Sequence, residues 1–190
     1  MAFGVHNAAT PNDDRKDGLT PMTTPSATPD PTMEAIGTAV GRGHAGDIDA
    51  ARRDLLVIWE RIGAAGDPFH RCTLAHYLAD LYDDPAEALV WDVRALDAAD
   101  ALSDERAQQH HASLHVAGFY PSLYLNLADN FRRLGSFQAA GEQIDKAEQH
   151  TSALPDGPYG DTIRTAIRDV NQAIMNRDTT RRASAHGPAQ

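Results

Sequence analysis

The stretch from Tyr124 to Ala147 constrains this chain more than any other, because apolar residues recur there at helix spacing twice, with a glycine turn between. Tyr124, Leu127, Ala128 and Phe131 fall at i, i+3, i+4 and i+7, one face of a helix, and Phe137, Ala140, Ile144 and Ala147 mark the stripe of a second. Between them, Leu134-Gly135-Ser136 places a glycine where a helix stops and a serine where the next can be capped. The small side chains of Ala128, Ala140 and Ala147 let the two axes approach, while Tyr124 and Phe131 fill the space beside them. The predicted unit is an antiparallel helical hairpin.

The same unit recurs. Ala39, Gly46, Ile48, Ala51, Leu55 and Ile58 stand at the relative positions of Ala128, Gly135, Phe137, Ala140, Ile144 and Ala147. A looser copy runs through Ala75, Leu78, Ala88 and Ala95, with Asp83-Asp84-Pro85 as its turn and about one extra residue in the loop, which a surface turn tolerates. Trp59 and Trp91 sit near the ends of the second helices, where large side chains would close the seam between neighbouring hairpins.

An aromatic, Leu and a small residue, an aromatic, Gly, then Ala, an aliphatic and Ala: in this order, over roughly residues 32–152, the chain resembles the tetratricopeptide repeat family. The runs His70–Asp80 and Asp104–Leu114, with lysine only at Lys16 and Lys146, narrow the likeness to small repeat proteins of high-GC bacteria, a likeness that implies no particular activity. The expected fold is an all-α solenoid of about three hairpins over residues 32–65, 69–101 and 121–154, inside a domain spanning 32–176. Residues 103–117 interrupt the rhythm as an inserted helix, started by Ser103 with Asp104 and Glu105 in its first turn and ended before Gly118 and Pro121. Residues 160–176, with Ile163, Ile167, Val170 and Ile174 on one face, read as a helix capping the solenoid.

The ends are different material. Residues 1–31 carry Pro11, Pro21, Pro25, Pro29 and Pro31 and few large apolar side chains, so a disordered leader is expected, and Met22 and Met33 are alternative translation starts. Residues 177–190 are expected to form an unstructured tail. The net charge of −10 resides in the central domain, since the two ends offset one another. An acidic domain does not hold nucleic acid by bulk electrostatics. No apolar run reaches membrane-span length, no signal-peptide core opens the chain, and the single Cys72 rules out an internal disulfide, which together point to the cytoplasm.

The resemblance implies that the first helix of each hairpin lines a concave groove. By register the third hairpin offers Ser122, Leu125, Asp129, Arg132 and Arg133 with Asn126 and Asn130 beside them, the second offers Cys72, His76 and Asp80, and the first offers Ile36 and Val40. Carboxylate-clamp binding is not implied, because only Asn126 matches a clamp position and the clamp lysines are missing. The expected groove is His76, Tyr77, Asp80, Asn126, Asp129, Asn130 and Arg133, holding a peptide or protein segment through arginine pairing and aromatic contact. The competing expectation is zinc: Cys72 and His76 at i, i+4 on one helix and His111 and His115 at i, i+4 on the inserted helix make a four-ligand set if those helices pack together. No phosphate loop, nucleophile elbow or H-E-x-x-H is present, so no catalytic residue and no cofactor is assigned. A thiol-dependent enzyme would have to rest on the Cys72/His76 pair alone. Apolar faces at solenoid ends also make a homodimer an expectation.

Overall fold

The computed structural model describes residues 30–182, and within them the chain is all-helical, with eight α-helices and no strand. In order these are α1 (Pro31–His44), α2 (Ile48–Ile62), α3 (Pro68–Asp80), α4 (Pro85–Asp100), α5 (Asp104–His110), α6 (Tyr120–Arg133), α7 (Phe137–Gln149) and α8 (Pro158–Met175). The closest packing is between α1 and α2, α3 and α4, and α6 and α7, three consecutive hairpins. Next, α4 packs on α6, and α8 lies against both α6 and α7. The expected leader lies outside the described residues except at its end, where Asp30 and Pro31 begin α1. Pro31 takes the first helical position, where a missing N–H costs nothing, and the Asp30 carboxylate accepts the Met33 N–H at 3.1 Å.

The turns show why the hairpins close where they do. In the first, Gly46 (φ 93°) donates its N–H to Gly43 and Asp47 to Arg42; in the third, Gly135 (φ 75°) donates to Arg132 and Ser136 to Phe131. Both are Schellman caps, in which a left-handed residue lets two N–H groups reach back to the last carbonyls. The second hairpin lacks that glycine and turns through Leu81 and Tyr82 onto Asp84, whose side chain accepts the Ala86 N–H at 2.8 Å, with Pro85 first in α4. Asp47 likewise caps α2, whereas Ser136 makes no side-chain cap bond to α7, contrary to its sequence position.

Two apolar cores result. One joins hairpins one and two and α5 through residues such as Ile36, Leu55, Leu74, Leu78, Ala95 and Ala107; the other joins α6, α7 and α8 through Leu125, Ala128, Ile144, Ile163 and Val170. Trp59 and Trp91 meet edge to face at 5.1 Å between centroids, and the Arg94 guanidinium lies over both rings, closing the seam between the first two hairpins.

The inserted segment is shorter than its sequence suggests. Ser103 does cap α5, accepting the Arg106 N–H at 3.3 Å, but the helix ends at His110 because His111 is extended (φ −152°). A short 3-10 turn at Val116–Gly118 follows, and Pro121 sits within the first turn of α6 instead of ending a helix. The tail also departs from expectation. Residues 177–182 fold back on the C-terminal end of α6, held by Arg132, and residues 183–190 lie outside the described residues.

Candidate functional site

The junction of α3, α4 and α6 holds the most polar buried chemistry of the molecule. Asp92 of α4 is 1% exposed, between the two apolar cores, and its carboxylate accepts Asn130 Nδ2 at 2.7 Å and Asn126 Nδ2 at 3.4 Å. Asn126 also reaches Asp80 Oδ1 at 3.4 Å, and His76 Nδ1 lies 4.0 Å from Asp92 Oδ1. A carboxyl in so dry a place must be hydrogen-bonded or protonated. Burial, reinforced by the charge of Asp80, pushes the Asp92 carboxyl well above the ordinary range, against the Asn126 and Asn130 amides, which favour the ionised form. Burial also pushes the His76 imidazole down to about 4, with Asp80 pulling the other way, so the ring is neutral at pH 7.

Of the residues expected in the groove, the structure brings His76, Asp80, Asn126 and Asn130 together around Asp92. Tyr77 flanks them, its ring 6.0 Å from His76. His76 and Asn130 are buried and form the floor; Asp80 is exposed, and Tyr77, Asn126, Asp129 and Arg133 are half-buried at the rim. Asp129 is Asn130's neighbour in the chain and pairs with Arg132 at 2.8 Å, and Arg133, nearly a turn beyond Asn130 on α6, donates to the Asp83 carbonyl at 2.5 Å. Ser122 and Leu125 do not line a groove: Ser122 bonds the Phe119 carbonyl inside the protein and Leu125 belongs to the second core. Ile36 is likewise buried in the first core. Asp92 was not foreseen, because on α4 it reads as one more surface acid between Trp91 and Val93.

The four proposed zinc ligands do not assemble. Cys72 and His76 share a buried face of α3, but α5 ends before His111, so His111 and His115 are not on one helix. His111 Nδ1 bonds Ser113 Oγ at 2.8 Å and His115 lies 3.4 Å from Asp104, both at the surface. Among the described residues, no three His, Cys, Asp or Glu side chains come together as a metal would require. Burial pushes the Cys72 thiol up to about 12, which leaves no thiolate at neutral pH for the thiol chemistry considered above.

A second polar cluster clamps the opposite end of α3. Arg106 of α5 donates from Nε to Asp67 at 2.6 Å and from Nη2 to Asp30 at 3.3 Å, while His70 Nε2 and Asp30 Oδ2 are 2.8 Å apart. Partial burial pushes the Asp30 and Asp67 carboxyls up, but hydrogen bonds from His70 and the Met33 N–H on Asp30, and from Arg106 and the His70 N–H on Asp67, hold both below the ordinary range. These two aspartates cap α1 and α3, so the cluster ties three helices together.

The described residues include no helix long and apolar enough to cross a membrane. The chain matches no protein-family model, no curated protein and no solved structure.

Proposed function

We propose that the chain is a non-enzymatic interaction module of the tetratricopeptide kind, working in the cytoplasm, that holds a peptide or protein segment along α3 and α6. The observation that supports this most is the layering at their junction. Asp92 and Asn130, hydrogen-bonded to each other across α4 and α6, form a buried floor with His76 of α3, while Tyr77, Asp80, Asn126, Asp129 and Arg133 stand at an accessible rim. A rigid floor with mixed donors, acceptors and an aromatic ring above it suits recognition of a peptide by polar pairing and ring contact. The acidic central domain favours a partner of net positive charge, through steering more than through affinity.

The test is capture from the native lysate on the full chain, on the Asp80→Lys/Arg133→Glu double variant, and on a Val93→Arg control. Val93 is 51% exposed on the outer side of α4. A partner kept by the parent and the control and lost by the double variant supports the groove. Identical captures on all three, with circular dichroism unchanged, defeat it.

A further inference from the structure

The segment after α8 makes contacts that a loose tail does not make. Arg177 adopts a left-handed conformation (φ 53°), where glycine is the usual residue, and the N–H groups of Arg177 and Asp178 reach back to Ile174 and Ala173. The Arg177 guanidinium rests 4.6 Å above the Phe137 ring. The chain is thereby turned toward the C-terminal end of α6, and residues 178–182 run across it as a strap.

What holds the strap is its main chain. Arg132, 0% exposed, donates from Nη1 to the Asp178 carbonyl at 2.5 Å and from Nη2 to the Thr180 carbonyl at 2.9 Å, while Nε and Nη2 also hold Asp129. The two carbonyls, two residues apart, converge on the planar guanidinium fork, and the strap turns between them, the Thr180 N–H being donated to Asp178 Oδ1 at 2.8 Å. The strap's side chains add little: none of residues 178–182 is apolar, and Asp178 through Arg181 are exposed. Its outer tie is the pairing of Arg181 with Asp83, both largely in solvent, which is weak. The buried part of the contact therefore reads backbone and not sequence.

We propose that the C-terminal end of α6 is a binding site for a peptide main chain that presents two carbonyls to Arg132, and that residues 178–182 occupy it in cis. An outside segment docks on Arg132 only as the strap lifts. Lifting it leaves the Arg132 guanidinium held by Asp129, with two directions of the fork without acceptors, a cost that an incoming pair of carbonyls removes. The inference rests on the groove reading, because Asp129 and Arg133 belong to that rim.

The experiment needs no outside partner. A fluorescein-labelled peptide with the sequence of residues 177–184 is titrated, by anisotropy, into the full chain and into the full chain carrying Asp178→Pro and Arg181→Ala. Proline at 178 removes the N–H that reaches Ala173 and disfavours the conformation of Arg177, so the strap is turned away. A tethered competitor acts at roughly millimolar effective concentration, so the double variant binds the peptide about tenfold more tightly or better. A peptide with ester linkages after positions 178 and 180, whose carbonyls are poorer acceptors, binds the double variant several-fold more weakly. Adding Arg132→Lys removes the gain, and the ester peptide gives the same information should that variant fold poorly. Equal binding to both chains, no binding to either, or indifference to the esters would overturn the proposal. Lysate capture can succeed while this titration fails, or the reverse, so the two readings fall separately.

Discussion

Lowering the pH should destabilise the fold through His76 by an amount the structure sets. The ring is 2% exposed and its folded pKa is about 4, against 6.5 for the free side chain. A depressed histidine pKa means that the unfolded chain takes up a proton the fold refuses, so stability falls as pH drops from 6.5 toward 4. Each pH unit in that window is worth about 1.4 kcal/mol, so the step from pH 6.5 to pH 5 costs about 2 kcal/mol at this residue. Asp92 acts in the opposite sense: its folded pKa is raised, so it contributes stability at low pH that is lost as pH climbs through the folded value. To isolate the histidine, urea unfolding is measured at pH 7 and pH 5 for the parent and for His76→Gln, which keeps a polar side chain of similar size but does not titrate. The parent should lose about 2 kcal/mol more than the variant between the two pH values. Equal losses would refute the claim that His76 is held neutral in the floor of the junction.

Glycine substitutions separate turn from helix: Gly46→Ala or Gly135→Ala, at positive φ, should cost about 1 kcal/mol each. Gly37→Ala and Gly41→Ala, exposed within α1 with nothing near the new methyl group, should each stabilise by about 0.5–1 kcal/mol, all read from thermal unfolding. Cys72, with its thiol pushed up to about 12 by burial, should react with a chromogenic disulfide reagent at pH 7 only in denaturant; rapid reaction of the native chain would contradict its placement. In core one, Leu78→Ala at a fully buried position should cost about 3 kcal/mol by urea titration, and a loss below 1 kcal/mol would mean the hairpins are not packed as described.

Much of the helical order was legible because it rests on local rules. The stripe at Ala128, Ala140, Ile144 and Ala147 is period and size, the turns at Gly46 and Gly135 are backbone conformation, and Asp84-Pro85 is a cap followed by a tolerated proline. Each of these rules acts within one helix or one turn and its immediate neighbours in the chain. The junction is different: Asp92 is buried by Asn126 and Asn130, which lie 34 and 38 residues further on, and no local pattern marks it. For the same reason His76 and Asn130, taken as groove-lining from their register, are floor residues covered by helices from elsewhere in the chain. Arg132, which its register offers to the groove, is instead fully buried under the strap that returns over it from 46 residues away. The inserted segment was overextended because Ala107 is its one buried residue, too little apolar surface to carry α5 past His110.

The central claim, that the α3–α6 face receives a partner segment, is tested most directly by photocrosslinking. Benzoylphenylalanine is placed singly at Tyr77, at Asn126 and at Val93 of the full chain, and each protein is irradiated in the native lysate. A discrete adduct of the same mass from positions 77 and 126, missing from position 93 and lost when Asp80→Lys/Arg133→Glu is added, is the result expected. Adducts from position 93 alone, or the same diffuse background from all three, would contradict the account.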